Sequence, residues 1–414
     1  MREPASCRAS VNAFEPFRKF YQSRRYFCAE FSGAAGDLTR KSTRRGSRMK
    51  VLFITRKWPP AVGGMELYSR EIAAAMSRYA EIDIEALPGR RDGRPPSAAA
   101  LFLFFVRASF ALAIRGHRYD VIHFGDFVLF PLAVWSAIVA PRTRKIVTVH
   151  GLDLIYGQRR GVLPFVYRLY VHGARALQHV VDCFVANSAA TAEVAKALGF
   201  RRVSAVPLGI ALPEKAPAPT AIDAARQAAA RGKDKYILFV GRIVPRKGLA
   251  WFAENVLPRL DDGVSLKIVG AAWDQKELAR ALENSRAKYL GRVDDSELQR
   301  LREGAAVTVM PNLNLNDGDM EGFGLAALEA AASGSLLVAS NVEGIVDAVV
   351  DKETGFLAKG GDADDWVEKV SKLLAWSPNE RARFLANARD VIEKWYSWDR
   401  VARETLALAT GRTP

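Results

Sequence analysis

Two glutamates stand eight positions apart in EGFGLAALEA, residues 321 to 330, on either side of a glycine-rich turn. Carboxylates so placed suit two different jobs. They can accept hydroxyl hydrogen bonds from a polyhydroxylated ligand, at about 1.5 to 3 kcal/mol each, or they can simply charge the start of a helix. Upstream, VGRIVPRKG (240 to 248) gathers Arg242, Arg246 and Lys247 between glycines. Guanidinium and ammonium groups in such a loop can hold phosphate oxygens. The spacing is not that of a Walker A loop, and a plain basic surface turn is the competing reading. In the first half, KWPPAVGGMELYSREIA (57 to 73) sets Gly63 and Gly64 before an amphipathic stretch, where bare backbone can approach a ligand closely. TVHGLDL (148 to 154) ends an apolar run on His150, followed by Gly151; a histidine so placed has a structural reading as well as a catalytic one.

Each of these candidates lies just past a short β-branched or aromatic run. MKVLFIT (49 to 55) is the first, followed by IDIEAL (82 to 87), DVIHF (120 to 124), KIVTVH (145 to 150), CFVANS (183 to 188) and VSAVPLG (203 to 209). After an interruption the rhythm restarts with YILFVG (236 to 241), SLKIVG (265 to 270), AKYLG (287 to 291), AVTVMP (306 to 311) and SLLVAS (335 to 340). Strand-length runs alternating with helix-length segments predict an α/β fold with two doubly wound parallel sheets. Ligands of such sheets bind beyond the carboxyl ends of the strands, so two facing sheets predict a cleft between domains. In that frame AVTVMP is a strand, NLNLNDGDM a loop and GLAALEAAASG a helix closed near Gly334. Glu321 then sits in the loop and Glu329 about one turn into the helix, tilted back toward the same mouth. The amides of Gly322, Phe323 and Gly324 point outward at the helix start.

The 414 residues, 49% hydrophobic and 25% charged, are enough for two cores. The boundaries read as an Arg- and Ser-rich extension at 1–48, disordered or foreign to the native chain, and a first domain at 49–211. A Pro- and Ala-rich linker follows at 212–234, then a second domain at 235–396 and a terminal helix at 397–414. Net charge is +7 over 1–48, +10 over 49–211 and −2 over the rest, so the cationic excess lies in the first half. This favours an anionic partner there. Cys7, Cys28 and Cys183 have neither metal-ligand nor disulfide spacing, which predicts a reducing compartment and no structural zinc, with Cys183 in the core. The apolar stretches 101–114 and 127–140 are fourteen residues each, short of the roughly 20 that span a bilayer, and are predicted to be buried or interfacial helices.

In order from about residue 49 to the C-terminus, these motifs resemble the GT-B retaining glycosyltransferases of family 4. The resemblance rests on the Gly63-Gly64 loop, DVIHF, His150-Gly151, VANS with Ser188, VPLGI, VGR…RKG, EGFGLAALEA and the late YSW at 396–398. It implies two Rossmann-like domains across a cleft, with the terminal helix packing back on the first, acceptor-side domain. It also implies a hexose-type sugar moved, with retention, from a nucleoside-diphosphate sugar to a glycan or lipid-linked acceptor in envelope polysaccharide or glycolipid synthesis. Residue by residue, Arg242 and Lys247 correspond to the diphosphate clamp, Glu329 to the ribose carboxylate and Glu321 to the residue at the sugar hydroxyls. Gly322, Phe323, Gly324 and Leu325 add donor contacts, and His150, Gly151, Gly63 and Gly64 close over the donor. His150, Glu321, Arg242 and Lys247 are the expected catalytic set. No cofactor and no metal are expected beyond the nucleotide-sugar co-substrate. An anionic membrane surface is an expected partner and nucleic acid is not; the expected location is cytoplasmic, peripheral at the inner face of the membrane.

The chain departs from the family pattern in three places. Pro311 is followed by Asn312 rather than Ser, and Ser188 by Ala189 rather than Glu. The usual Gly-Gly-x-x-Glu loop reads VEGIVD, with Glu343-Gly344 and Asp347. Two other readings remain open at this level. In a glycoside hydrolase, Glu321 and Glu329 would act as acid and nucleophile about 5 to 5.5 Å apart. A non-catalytic nucleotide-sugar-binding protein on the same scaffold is the other.

Overall fold

A computed structural model describes residues 48–61, 63–90, 96–212, 235–315 and 320–411. The expectations for 1–48 and for the linker at 212–234 fall almost wholly outside these residues. Both sheets lie within Lys50–Pro414.

The first lobe is a six-stranded sheet of β1 (Lys50–Trp58), β2 (Glu81–Pro88), β3 (Val121–Phe124), β4 (Arg144–Val149), β5 (Cys183–Ala186) and β6 (Val203–Ala205), with spatial order 2-1-3-4-5-6. Its helices are α1 (Gly64–Met76), α2 (Ala98–Arg115), α3 (Phe130–Val139), α4 (Val162–Ala176) and α5 (Ala189–Ala197). The second lobe contains β7 (Lys235–Val240), β8 (Val264–Val269), β9 (Ala287–Gly291), β10 (Val307–Met310), β11 (Leu337–Ser340) and β12 (Phe356–Ala358), ordered 12-11-10-7-8-9. It carries α6 (Leu249–Asn255), α7 (Gln275–Leu282), α8 (Asp295–Gly304), α9 (Leu325–Ala332), α10 (Ala363–Leu374) and α11 (Pro378–Trp395). Every strand pair is parallel.

Parallel strands covered by helices on both faces read as near-continuous apolar runs: β5 is apolar throughout, β3, β10 and β11 each admit one polar residue (His123, Thr308 and Ser340), and all four are buried along their length. β12 has no counterpart among the predicted strands because three residues are too short to show a pattern, and β1 runs on to Trp58. Only the first three residues of the stretch 203–209 pair as a strand. Cys183 is buried, as its apolar surroundings in the sequence predict.

Both sheets reverse direction once. In the first the reversal falls between β1 and β3; in the second, between β7 and β10. At such a switch point the connections leave in opposite directions and open a crevice at the carboxyl ends. Right-handed crossovers put α1 on one face of the first sheet and α2 to α5 on the other. Consistent with this, Phe104, Leu112, Phe130, Ala133, Val171, Ala174, Ala192 and Ala195 share one core.

The last helix, α12 (Trp398–Ala409), leaves the second lobe and packs on α1 of the first. The Tyr79 hydroxyl donates to Asp399 and Arg400 donates to the Pro207 carbonyl. The apolar stretch read as 101–114 is longer than expected: α2 spans 18 residues, and Ala98–Arg118 is long and apolar enough, by length and composition, to cross a membrane. It packs instead as a crossover helix, burying Phe104, Ala108 and Leu112.

Candidate functional site

The two switch points face one cleft of about 1070 Å³. From the first lobe it is lined by Gly63, Gly64 and His150, and from the second by Arg242, Lys247, Glu321, Gly322, Phe323, Gly324, Leu325 and Glu329. Of the predicted site residues only Gly151 does not line it. That glycine has φ +95°, and a Cβ there would meet Gly322 Cα at 3.3 Å, so its role is to let the lobes approach.

The convergence follows from strand order. β7 and β10 are hydrogen-bonded neighbours, so the basic turn after one and the acidic loop after the other leave side by side. Pro245–Lys247 form a single tight turn. Gly248, at φ +66°, then lets the chain pass the Pro311 carbonyl, which a Cβ would reach at 1.9 Å. That close approach brings Glu321 against two cations: Arg246 Nη1 at 3.0 Å and the Lys247 ammonium. Burial would raise the Glu321 carboxyl, but Lys247 and Arg246 together outweigh it and hold the group down at about 2. Glu321 is therefore an anion at neutral pH. The family motif points to Arg242 and Lys247 as the clamp, but the structure gives Arg246 the ion pair. Arg242 is exposed, with its guanidinium 4.8 Å from the centre of the Trp273 ring. Arg246 is visible in VGRIVPRKG, although nothing local ranks one arginine above the other.

Glu329 lies on α9, where alanines allow a helix buried on most sides. Its carboxylate accepts from Arg302 Nη2 of α8 at 2.7 Å. Phe323 turns its ring into the protein beside Tyr396, leaving backbone to face the cleft. His150 Nε2 lies 2.9 Å from the Gly125 carbonyl. A carbonyl only accepts, so Nε2 carries the proton and Nδ1 is the nitrogen that can meet a ligand. The His150 amide donates to Asp153 Oδ1 at 2.9 Å and the Tyr68 ring abuts the imidazole edge-on. Asp153, which no sequence motif singles out, is pushed up by burial, while the hydrogen bonds it accepts from the His150 and Phe127 amides pull the other way. Behind it, burial lowers His123 to about 3, keeping that imidazole neutral.

Two departures from the family pattern meet here. Asp347 reaches the other lobe, where its carboxylate accepts from the Ala189 and Ala190 amides at 3.0 and 3.3 Å. It thus caps the N-terminus of α5 together with Ser188. Glu343 stands at φ +50°, and its carboxylate accepts from the Glu321 amide at 2.5 Å. The altered loop therefore braces both Glu321 and the lobe junction. At that junction the Gly322 carbonyl accepts from the Thr191 hydroxyl at 3.3 Å, and a Cβ on Gly322 would lie 2.2 Å from the His150 carbonyl oxygen. Gly322→Ala is expected to cost about 1–3 kcal/mol through this overpacking and to lower turnover. A thermal melt and a rate measurement check it; unchanged values would mean that the junction is open in solution.

Among the described residues no group of three or more His, Cys, Asp or Glu side chains is placed to hold a metal ion.

A profile for glycosyl transferases group 1 matches residues 234–375, and one for glycosyltransferase family 4 matches 37–213. Together they take in more than half of the chain. The GDP-mannose-dependent alpha-(1-6)-phosphatidylinositol monomannoside mannosyltransferase of Mycobacterium tuberculosis is 26% identical over 87% of this chain and 98% of its own length. Sucrose-phosphate synthase from Thermosynechococcus elongatus superposes with a TM-score of 0.65 at 19% identity, covering 88% of this chain and 99% of that one. Anabaena HepE in complex with UDP and glucose gives 0.63 at 17%, over 88% and 100%. The shared architecture is GT-B.

Proposed function

We propose, for a chain that belongs to the group 1, family 4 glycosyltransferases, that it moves a hexose-type sugar from a nucleoside-diphosphate sugar to a glycan or lipid-linked acceptor. The observation that carries this reading is the meeting of Arg242, Arg246 and Lys247 with Glu321 and Glu329 in one cleft. Its volume is at the upper end for a small-molecule site, which suits a donor and an acceptor together. As the bond from the anomeric carbon to the phosphate breaks, its electron pair goes to the departing phosphate oxygen. Fixed cations stabilise that charge without any resident metal. Glu329 suits the ribose hydroxyls and Glu321 the sugar hydroxyls, while the acceptor oxygen bonds to the same face of the anomeric carbon, with retention. The acceptor's proton leaves on the departing phosphate. The electrostatics disfavour the hydrolase reading, because a carboxyl held at about 2 is a poor general acid. The setting is envelope polysaccharide or glycolipid synthesis, at the cytoplasmic side of the membrane.

One relative is GDP-mannose-dependent and a structural neighbour is solved in complex with UDP and glucose, so the base is the first thing to measure. In a thermal-shift panel of UDP-, GDP- and ADP-sugars, one nucleotide class is expected to raise the melting temperature. At a hundred times Kd the gain is about 2.7 kcal/mol. NMR of the product should show the donor's anomeric configuration. No response to any nucleotide sugar, with cleavage of a simple glycoside, would overturn the proposal.

A further inference from the structure

The outer surface of the first lobe is apolar where a protein facing only water is polar. Phe102 and Phe110 on α2 are 71% and 65% exposed, Ile138 on α3 69%, and Val162, Leu163 and Val166 on α4 81%, 73% and 57%. The same helices already bury a stripe each in the core beneath them. A helix that is apolar on both sides belongs against a second apolar phase.

Charge identifies that phase. The three helices contain no aspartate or glutamate at all, while α2 and α4 carry arginines at 107, 115, 168 and 175. Arg107 and Arg115 answer Glu85 on β2. On α4 Arg168 lays its guanidinium over the Phe165 ring at 5.5 Å, the posture of a cation lying along apolar surface with its charged head at the edge. A second copy of this face would set cation against cation, whereas an anionic bilayer accepts both the apolar side chains and the arginines. Lying in the interface, α2 keeps its buried stripe and the Arg107–Glu85 pair, both of which spanning would take out of the protein.

We infer that the α2–α3–α4 surface docks on an anionic lipid bilayer, with these helices lying in its interface. The consequence for the cleft runs through α4. Its Tyr167 lines the cleft and donates to the Asp153 carbonyl at 2.7 Å, while Leu163 and Val166 face outward on the same helix. Docking therefore holds the mouth of the cleft near headgroup depth, where a lipid-linked acceptor could enter without leaving the membrane. That consequence, unlike the docking, rests on the transferase reading.

The test is flotation of the full chain with vesicles of phosphatidylcholine, with and without phosphatidylglycerol. The protein should float with the anionic vesicles, and added salt should weaken binding. The double substitution Leu163→Asp, Val166→Asp should reduce the bound fraction about tenfold or more. Both positions are exposed, so its melting temperature should match the wild type. Arg168→Glu with Arg175→Glu should abolish the preference for anionic lipid. Failure of the wild type to float, or equal flotation of the aspartate variant, would overturn the inference. Self-association in velocity sedimentation that the aspartate variant abolishes, with flotation unchanged, would assign the face to a second copy. Nucleotide-sugar binding in lipid-free buffer, measured on wild type and variant alike, reads the transferase proposal separately. The two ideas can therefore fail independently.

Discussion

Lys247→Ala will lower kcat by about 100- to 1000-fold while leaving the protein folded, and Arg242→Ala will act on the same scale. In the proposed transfer the rate effect follows from where charge develops: a departing diphosphate gains negative charge, and the cations after β7 line the cleft where it would leave. The fold survives in each case for a different reason. Without Lys247, Glu321 keeps Arg246 at 3.0 Å, so no carboxylate is left unpaired. Arg242 is exposed and rests on the Trp273 ring, so its removal opens no cavity. Steady-state release of nucleoside diphosphate gives the rate, and circular dichroism melts give the fold. Near-normal turnover in both variants would remove the phosphate clamp from the proposal.

Glu321→Gln should show the opposite asymmetry, with a large loss of stability in the unliganded protein. The Arg246 and Lys247 side chains are only 9% and 11% exposed, and neutralising Glu321 leaves two largely buried cations without this anion. Breaking a buried pair from one side costs about 3–5 kcal/mol. A nucleoside diphosphate, itself an anion, should then restore more stability to the variant than it adds to the wild type, while turnover stays low. Differential scanning fluorimetry with and without ligand reads both effects. An unchanged melting temperature in the variant would mean that the ion pair does not form in solution. The same pair gives a pH signature. The Glu321 carboxyl is lowered in the folded state from 4.5 to about 2, so its stabilisation is complete above pH 4.5 and is lost as pH falls toward 2. The wild type minus variant difference in stability should shrink over that interval.

The motifs are legible in the sequence because their signals are local. A glycine pair before a helix, a basic turn after a strand and a carboxylate at a helix start all lie within a dozen residues, and all but Gly151 line the cleft. Strand existence is equally legible, since buried parallel strands are mostly apolar along their length; β12 fails for shortness. The departures from the family pattern can be seen but not interpreted. Asp347 and Ala189 are 158 residues apart, and only the folded chain shows the carboxylate of one receiving the amide of the other.

What the sequence determined by itself was therefore the α/β class, the two sheets and the chemical kind of the residues that line the cleft: cations, carboxylates and glycines. What only the tertiary structure decided was pairing. Arg246 and not Arg242 holds Glu321, because β10 lies beside β7, and Arg302 reaches from α8 to hold Glu329 on α9. Strand order and helix neighbours are set by the packing of the whole lobe, and no short-range pattern of residue types encodes which of two nearby arginines will face the cleft.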